Sequence, residues 1–434
     1  MFEKLKLLDK HTLEVFQKSG ASMIVKLLGM VFSFLLSVFL GRKLGAEGLG
    51  IINLSNQIVQ VLLIVSLLGV SQLLLKKVAI AYQKNDWKAI SNYTHSSYWL
   101  VGKASVILFI LFFTLAPHLS ENIFNESKLK IPFIIFLIAL IPQAFTNLFS
   151  FSLVGLKKIW QSNLTNEVLS IVLTTLGVLT LALLNVNITI INVALCYMVS
   201  RIIAFLTSGL YWNKLAFKVT DKKEKIPNLL KKASPFFLVN ATGVISSNVD
   251  LLMLGLLTDI RSVGLYAVAS RLAFLTSFFL QITNSAISPK LASMFAENKI
   301  EDINKMTQRV TLVLIIIGIT STLFFFSFGR FLLEFWGEEF MEGYWVLVIL
   351  SIGQFFNIGT GCSGYLLIMC GYEREHAYIS IFTVILNVIL NYLLINYFGM
   401  IGAAIATAIV VTSSNISKVV LSKRKTKIST IFKF

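Results

Sequence analysis

The sequence predicts an all-α, multi-pass membrane protein, with about twelve transmembrane helices in two pseudo-symmetric six-helix lobes around a central cavity. Three observations predict it. Of the 434 residues, 56% are hydrophobic and only 14% charged, with a mean hydropathy of +0.80. A soluble chain has about 25% charged residues, polar surface that this composition cannot supply. Apolar runs of roughly twenty residues recur throughout, each long enough to cross a bilayer core of about 30 Å as a helix. The longest polar connection, 213–233, divides them six and six. A transmembrane β-barrel would show segments of about ten residues alternating in polarity, and none is present.

In chain order, residues 1–19 come first. Lys4, Lys6, Lys10 and Lys18 alternate there with Leu5, Leu8, Leu13 and Phe16, which suits an amphipathic helix lying on the membrane, not a cleaved signal peptide. The first lobe, 20–212, holds spans at 20–41, 51–75, 97–118, 131–155, 165–185 and 188–212. The linker 213–233 carries Lys214, Lys218, Lys222, Lys223, Lys225, Lys231 and Lys232. The second lobe, 234–421, holds spans at 234–258, 262–288, 309–329, 343–369, 376–397 and 400–421, and 422–434 is a basic tail. Six is even, so the two lobes share an orientation and can be related by an axis along the membrane normal. One offset, 214, matches Leu40 with Leu254, Gly41 with Gly255, Gly50 with Gly264, Ser71 with Ser285 and Lys76 with Lys290.

The net charge of +17 is unevenly placed. With both termini cytoplasmic, the inside segments hold most of the Lys and Arg, and the outer loops hold only Arg42, Lys43, Lys128, Lys130, Arg261 and Arg330. That asymmetry sets the orientation, and contact with anionic lipid accounts for the basicity without nucleic acid. Cys196, Cys362 and Cys370 fall within spans and read as small buried side chains, not disulfides. His11, His95, His118 and His376 lack metal-ligand spacing, so neither metal nor cofactor is expected. Nucleotide-binding and hydrolase motifs are absent. The longest outer connection, RFLLEFWGEEFMEG at 330–343, is too short for a catalytic domain and suits an interfacial segment with aromatic anchors. The expectation is a transporter, not an enzyme.

Polar side chains are costly in lipid, so those that remain face protein or a water-filled cavity. Span 1 carries Lys26, Ser33 and Ser37 on one face, and span 2 carries Asn53, Asn56, Gln57 and Gln60. Span 7 carries Asn240, Ser247 and Asp250; span 8 carries Ser270, Arg271, Ser277, Gln281, Asn284, Ser285 and Ser288. Both halves thus put polar stripes on their first two helices, which predicts a shared cavity lined by Lys26, Asn53, Gln57, Arg271, Gln281 and Asn284. The competing reading of any single Ser or Asn is an interhelical hydrogen bond, below about 2 kcal/mol. Lys26 can also snorkel to the surface. Arg271, about nine residues into its span, lies too deep for that at about 1.5 Å per residue. Asp250 reads either as the charge partner of Arg271 or as a group that couples transport to a proton or cation. Arg201 in span 6 has no evident charged partner and reads as structural. Gly402, Ala403, Ala404, Ala406 and Ala408 read as close helix packing.

GRKLGAEGLGIINL at 41–54 and NVDLLMLGLLTDIRSVGLYAVASRL at 248–272 resemble the polysaccharide-export flippases of the multidrug/oligosaccharidyl-lipid/polysaccharide superfamily. SPKLASMFAENK at 288–299, GEEF at 337–340 and NVILNYLLINYFGMIGAAIAT at 387–407 extend the resemblance over essentially the whole chain. It implies the O-antigen (Wzx-type) branch, with a V-shaped, MATE-like fold working by alternating access in the bacterial inner membrane. The implied substrate is an undecaprenyl-diphosphate-linked repeat unit moved outward among membrane lipids, with a polysaccharide polymerase and a chain-length regulator as further partners. Cationic cavity residues suit such a substrate, since a diphosphate must cross a low-dielectric region; of the family's cations only Lys26 and Arg271 carry over. Peptidoglycan-precursor flippases have two further helices and more cavity arginines than this chain. The alternatives are a drug/cation antiporter on the same scaffold and, from another class, a membrane polysaccharide polymerase.

Overall fold

The computed structural model describes residues 10–216 and 224–431. Residues 1–9 of the predicted interfacial segment fall outside them, while 10–19 form the start of α1; Lys218, Lys222 and Lys223 of the linker and the side chains of Ser247 and Ser285 also fall outside. The described residues are helical almost throughout: α1 Lys10–Leu67, α2 Val70–Gln83, α3 Trp87–His118, α4 Lys130–Ile138, α5 Leu140–Gly155, α6 Ile159–Asn163, α7 Leu169–Leu183, α8 Ile190–Ala216, α9 Leu229–Leu257, α10 Ile260–Phe274, α11 Ser277–Ala296, α12 Ile300–Glu334, α13 Tyr344–Gly359, α14 Ser363–Met369 and α15 Glu373–Thr426.

Eight of the helical stretches are long and apolar enough to cross a membrane, ten if each of two bent pairs is one span. Two of the eight are broken by glycine. α1 loses helical geometry at Gly45 (φ 68°) and α15 at Gly399 (φ 55°). Left-handed φ is cheap only without a Cβ, so these glycines divide each helix into two arms of more than twenty residues. The predicted eighth span is not one helix either. α10 ends at Phe274 and α11 starts at Ser277, bent by 44°. The amides of Leu275 and Thr276 bond back only three residues, to Leu272 and Ala273, tightening the last turn and ending the helix.

The chain forms two compact units: Met1–Leu44 with Ser55–Ala241, and Gly45–Leu54 with Thr242–Phe434. In unit 1, α5 packs against α2, α3 and α8. Gly155 permits the approach to α2, where a Cβ would lie 2.8 Å from a methyl of Val78. Tyr98, Phe145, Phe149 and Phe205 interlock around α5 with ring centroids 5.4–6.0 Å apart. The described end of the linker runs along α3: Glu224 N–H donates to Asn92 Oδ1, Ile226 N–H to Ser96 Oγ, and Lys225 caps the Trp99 ring at 4.2 Å.

In unit 2, α13 packs on α10, α12 and α15. The small-residue run of α15 lies in that contact, with Ala408 Cα 3.0 Å from where a Cβ on Gly353 would stand. The 422–434 tail is not wholly a solvated basic extension. Lys427 takes φ 60° and turns the chain back, Ile428 and Thr430 are fully buried, and Ser429 N–H donates to Asn304 Oδ1 at 2.7 Å. Ile428 fills a cluster of Leu291, Ile303, Cys362, Leu366 and Cys370. The three cysteines are free thiols.

Residues 45–54 pack inside unit 2 through a close crossing of two helix N-termini. A Cβ on Gly50 would sit 2.0 Å from the Ile260 carbonyl oxygen, and one on Gly264 would sit 2.0 Å from that of Ala46. The two contacts are reciprocal at the sequence offset of 214. Ala46 N–H, at the start of the second arm of α1, donates to Glu339 Oε1 at 2.8 Å. Its counterpart α10 is capped by its own Asp259, which accepts from Ser262 N–H. Arg261 holds both Glu339 and Glu342, the latter through two bonds of 2.6 and 2.8 Å.

Candidate functional site

Unit 2 contains a buried carboxylate. Asp250, on α9, is 8% exposed and accepts four hydrogen bonds. Thr407 Oγ1 donates at 2.6 Å, Asn391 Nδ2 at 2.9 Å, Tyr266 OH at 3.0 Å and Asn387 Nδ2 at 3.5 Å. Tyr266 comes from α10, Asn387 and Asn391 from successive turns of the first arm of α15, and Thr407 from its second arm. The glycine break at 399 is what lets both arms reach one carboxylate. All four of these donors are neutral. Arg271 is half-buried in the last turn of α10, beside the bend.

The donor set can also bind a cation. One carboxylate, two amide oxygens and two hydroxyls supply hard oxygen ligands, the kind that suit non-transition cations. Asn391 Oδ1 is buried with no hydrogen-bond partner, an acceptor left unspent while its amide nitrogen serves Asp250. Among the described residues no cluster of three or more His, Cys, Asp and Glu is found.

Unit 1 contains the opposite charge. Arg201, on α8, is 8% exposed and donates from Nη2 to Asn56 Oδ1 at 2.6 Å. Its guanidinium carbon lies 5.4 Å from the Phe136 ring centroid and 5.8 Å from that of Tyr197. Nη1 is buried without an acceptor. Stacking on desolvated aromatic faces is worth about 2 kcal/mol, against an effective cost of several kcal/mol for burying one ion. The surroundings do not balance the charge.

The other predicted residues are dispersed. Lys26 pairs with Glu167 at 3.6 Å, both half-exposed, so its charge is answered within unit 1. Asn53 donates to Leu49 O in its own helix, and Gln57 is half-buried on the same helix face. Gln281 is exposed on α11, whereas Asn284 is buried with Oδ1 unpartnered. None of these joins the Asp250 cluster. Tyr266, Asn387, Asn391 and Thr407, which do, are not among the predicted lining residues: Tyr266 lies on the predicted eighth span but outside its Ser, Asn, Gln and Arg stripe, and the other three lie on α15, beyond the first two spans of the second half. The signal was available: two asparagines four apart in NVILN share one helix face inside an apolar span.

The sequence matches the polysaccharide biosynthesis protein family over residues 15–295. The chain belongs to that family. The MatE family also matches, over residues 235–393, a stretch that contains Asp250, Tyr266, Asn387 and Asn391. Among curated relatives, the capsular polysaccharide biosynthesis protein CapF of Staphylococcus aureus is 24% identical over 40% of this chain and 44% of its own length. The probable low-salt glycan biosynthesis flippase Agl15 of Haloferax volcanii is 28% identical over 49% of this chain and 46% of its own. The aligned stretches thus span less than half of either relative. Two solved structures share the fold of this family member. A multidrug resistance MATE family transporter in its inward-facing conformation superposes with a TM-score of 0.75 at 15% identity, over 94% of this chain and 98% of that one. The lipid II flippase MurJ, in an inward closed conformation, gives 0.74 at 15% identity, over 94% and 87%. The fold is therefore MATE-like.

Proposed function

We propose that this protein flips undecaprenyl-diphosphate-linked oligosaccharide repeat units, for O-antigen or a related surface polysaccharide, from the cytoplasmic to the outer leaflet by alternating access. The observation that carries the reading is membership of the polysaccharide biosynthesis family over 15–295, supported by a relative named as a glycan biosynthesis flippase. The chemistry agrees. A diphosphate leaving water needs cationic partners, and Arg271 and Lys26 are the residues assigned to it, with Asn53, Gln57, Gln281 and Asn284 as hydrogen-bonding lining. Lys26 would exchange Glu167 for phosphate oxygens.

Asp250 is assigned to energy coupling. With its four neutral donors it is poised to exchange hydrogen bonds for a proton or a small cation, the amides of Asn387 and Asn391 turning their oxygens inward. The experiment is reconstitution: proteoliposomes with a fluorescent polyprenyl-diphosphate-linked sugar, scored for exposure of the sugar to an external quencher. Exposure at the rate of protein-free liposomes would refute the flippase reading. The buried Asp250 and the MatE match favour one second reading, a drug/cation antiporter. Cation-driven dye efflux from the same vesicles, without sugar exposure, would establish it instead.

A further inference from the structure

We propose that Arg201 and Asn56 form an oxoanion subsite within unit 1, taking a phosphoryl oxygen of a diphosphate; the proposal rests on the flippase reading and adds a site to it. A buried structural arginine ordinarily spends its five N–H donors on acceptors that hold the planar fork in place. Arg201 spends one arm on Asn56 and leaves Nη1 buried with no acceptor. Among the described residues no carboxylate pairs with it; it lies against the rings of Phe136 and Tyr197 and a neutral amide. A guanidinium is not deprotonated in proteins, so the charge cannot be shed.

Asn56 supplies the second donor and the route. Its Oδ1 accepts from Arg201, and its Nδ2 makes no hydrogen bond to the described residues. Unlike Arg201, Asn56 is only half-buried, so an anion reaching its amide edge arrives beside the unspent arm of the guanidinium. A guanidinium arm with an unspent N–H, flanked by aromatic rings and hydrogen-bonded to an amide that has its own N–H donors free, matches an oxygen of a phosphate better than any neutral group. Arg201 is about midway along α8 and Asn56 about midway along the second arm of α1, the depth at which a headgroup in transit most needs a counter-charge. The reading of Arg201 as merely structural leaves its open arm unexplained.

The test uses the full chain in lipid nanodiscs with three probes: geranylgeranyl diphosphate, inorganic diphosphate, and geranylgeraniol as the uncharged lipid. Affinity and thermal unfolding are measured for wild type, Arg201→Met, Arg201→Lys and Asn56→Leu. Arg201→Met should bind diphosphate at least tenfold more weakly, bind geranylgeraniol unchanged, and unfold at the same temperature or higher, because an unpaired buried charge has gone. Arg201→Lys and Asn56→Leu should fall between. Loss for either diphosphate supports the subsite, and which one loses identifies a lipid headgroup or a free anion as its ligand. Diphosphate affinity within twofold of wild type in Arg201→Met overturns the subsite and leaves the flippase reading intact. So does a drop in unfolding temperature that Arg201→Lys restores while diphosphate affinity stays unchanged. Wild-type protein that binds neither diphosphate in preference to the alcohol overturns both.

Discussion

Asp250 ties α10 and both arms of α15 to α9 through one buried carboxylate. Its four donors would lose this acceptor in Asp250→Ala; Asn391 keeps Asn387 and Tyr266 keeps Thr407, but each buried donor left orphaned costs about 1–3 kcal/mol. Asp250→Ala should therefore lower the amount of folded protein in the membrane, measured by fluorescence-detected size exclusion. Asp250→Asn keeps one oxygen for Thr407 and Tyr266 and can rotate its amide, so its abundance should stay near wild type. If Asp250 is the coupling group, Asp250→Asn should abolish the dependence of sugar flipping on an imposed proton or sodium gradient, and a preserved dependence would remove it from that role. The acid itself was legible in the sequence because an ionisable residue inside an apolar span is rare enough to notice. Its partners were not, because asparagine and threonine in a span are as often structural as functional.

At the scale of the element, glycine carries most of the information. Gly50 and Gly264 stand out in the sequence as one of five identities at an offset of 214, but nothing there says that the two face each other. The structure gives the reason for the repetition: each glycine allows its helix to touch a backbone carbonyl of the other, with no room for a methyl group. Gly50→Ala and Gly264→Ala should each lower the unfolding temperature sharply, because the obstructing atom is backbone and cannot rotate away. Gly243→Ala, where a Cβ meets nothing within 4 Å, should be neutral or slightly stabilising, since alanine favours a helix by up to about 1 kcal/mol over glycine. The comparison fails if all three behave alike. The tail makes a similar point. A basic segment after the last span gives no sign of burial, and its buried apolar anchor, Ile428, is a single residue with no periodicity to announce it. Ile428→Asp would put a charge into a cluster with no partner for it. It should reduce thermal stability, whereas Ile431→Asp, the same substitution at an exposed residue of the tail, should cost far less.

For the whole molecule, the question that decides topology is whether α1 and α15 each cross the membrane once or twice. Counted as single spans, they give ten crossings, five of which precede residue 223. Counted as two arms broken at Gly45 and Gly399, they give twelve, with six before that point. Both counts put the two termini on the same side, so terminal tags cannot distinguish them. The linker can. After six crossings it is cytoplasmic with the N-terminus; after five, its lysines would lie outside, against the positive-inside bias. Geometry favours two arms, since a helix of 47 residues is about 70 Å long at 1.5 Å per residue, more than twice a hydrocarbon core of about 30 Å. A left-handed glycine falls near the middle of each. Single cysteines at Lys43, Lys223, Glu338 and Phe398, in a background with Cys196, Cys362 and Cys370 replaced by serine, test this with a membrane-impermeant maleimide on intact cells. Positions 43, 338 and 398 should label from outside, and position 223 only after permeabilisation. Labelling of 223 on intact cells, with 43 and 398 silent, would establish the ten-span map and remove the even division on which the two-lobe reading of the sequence depends.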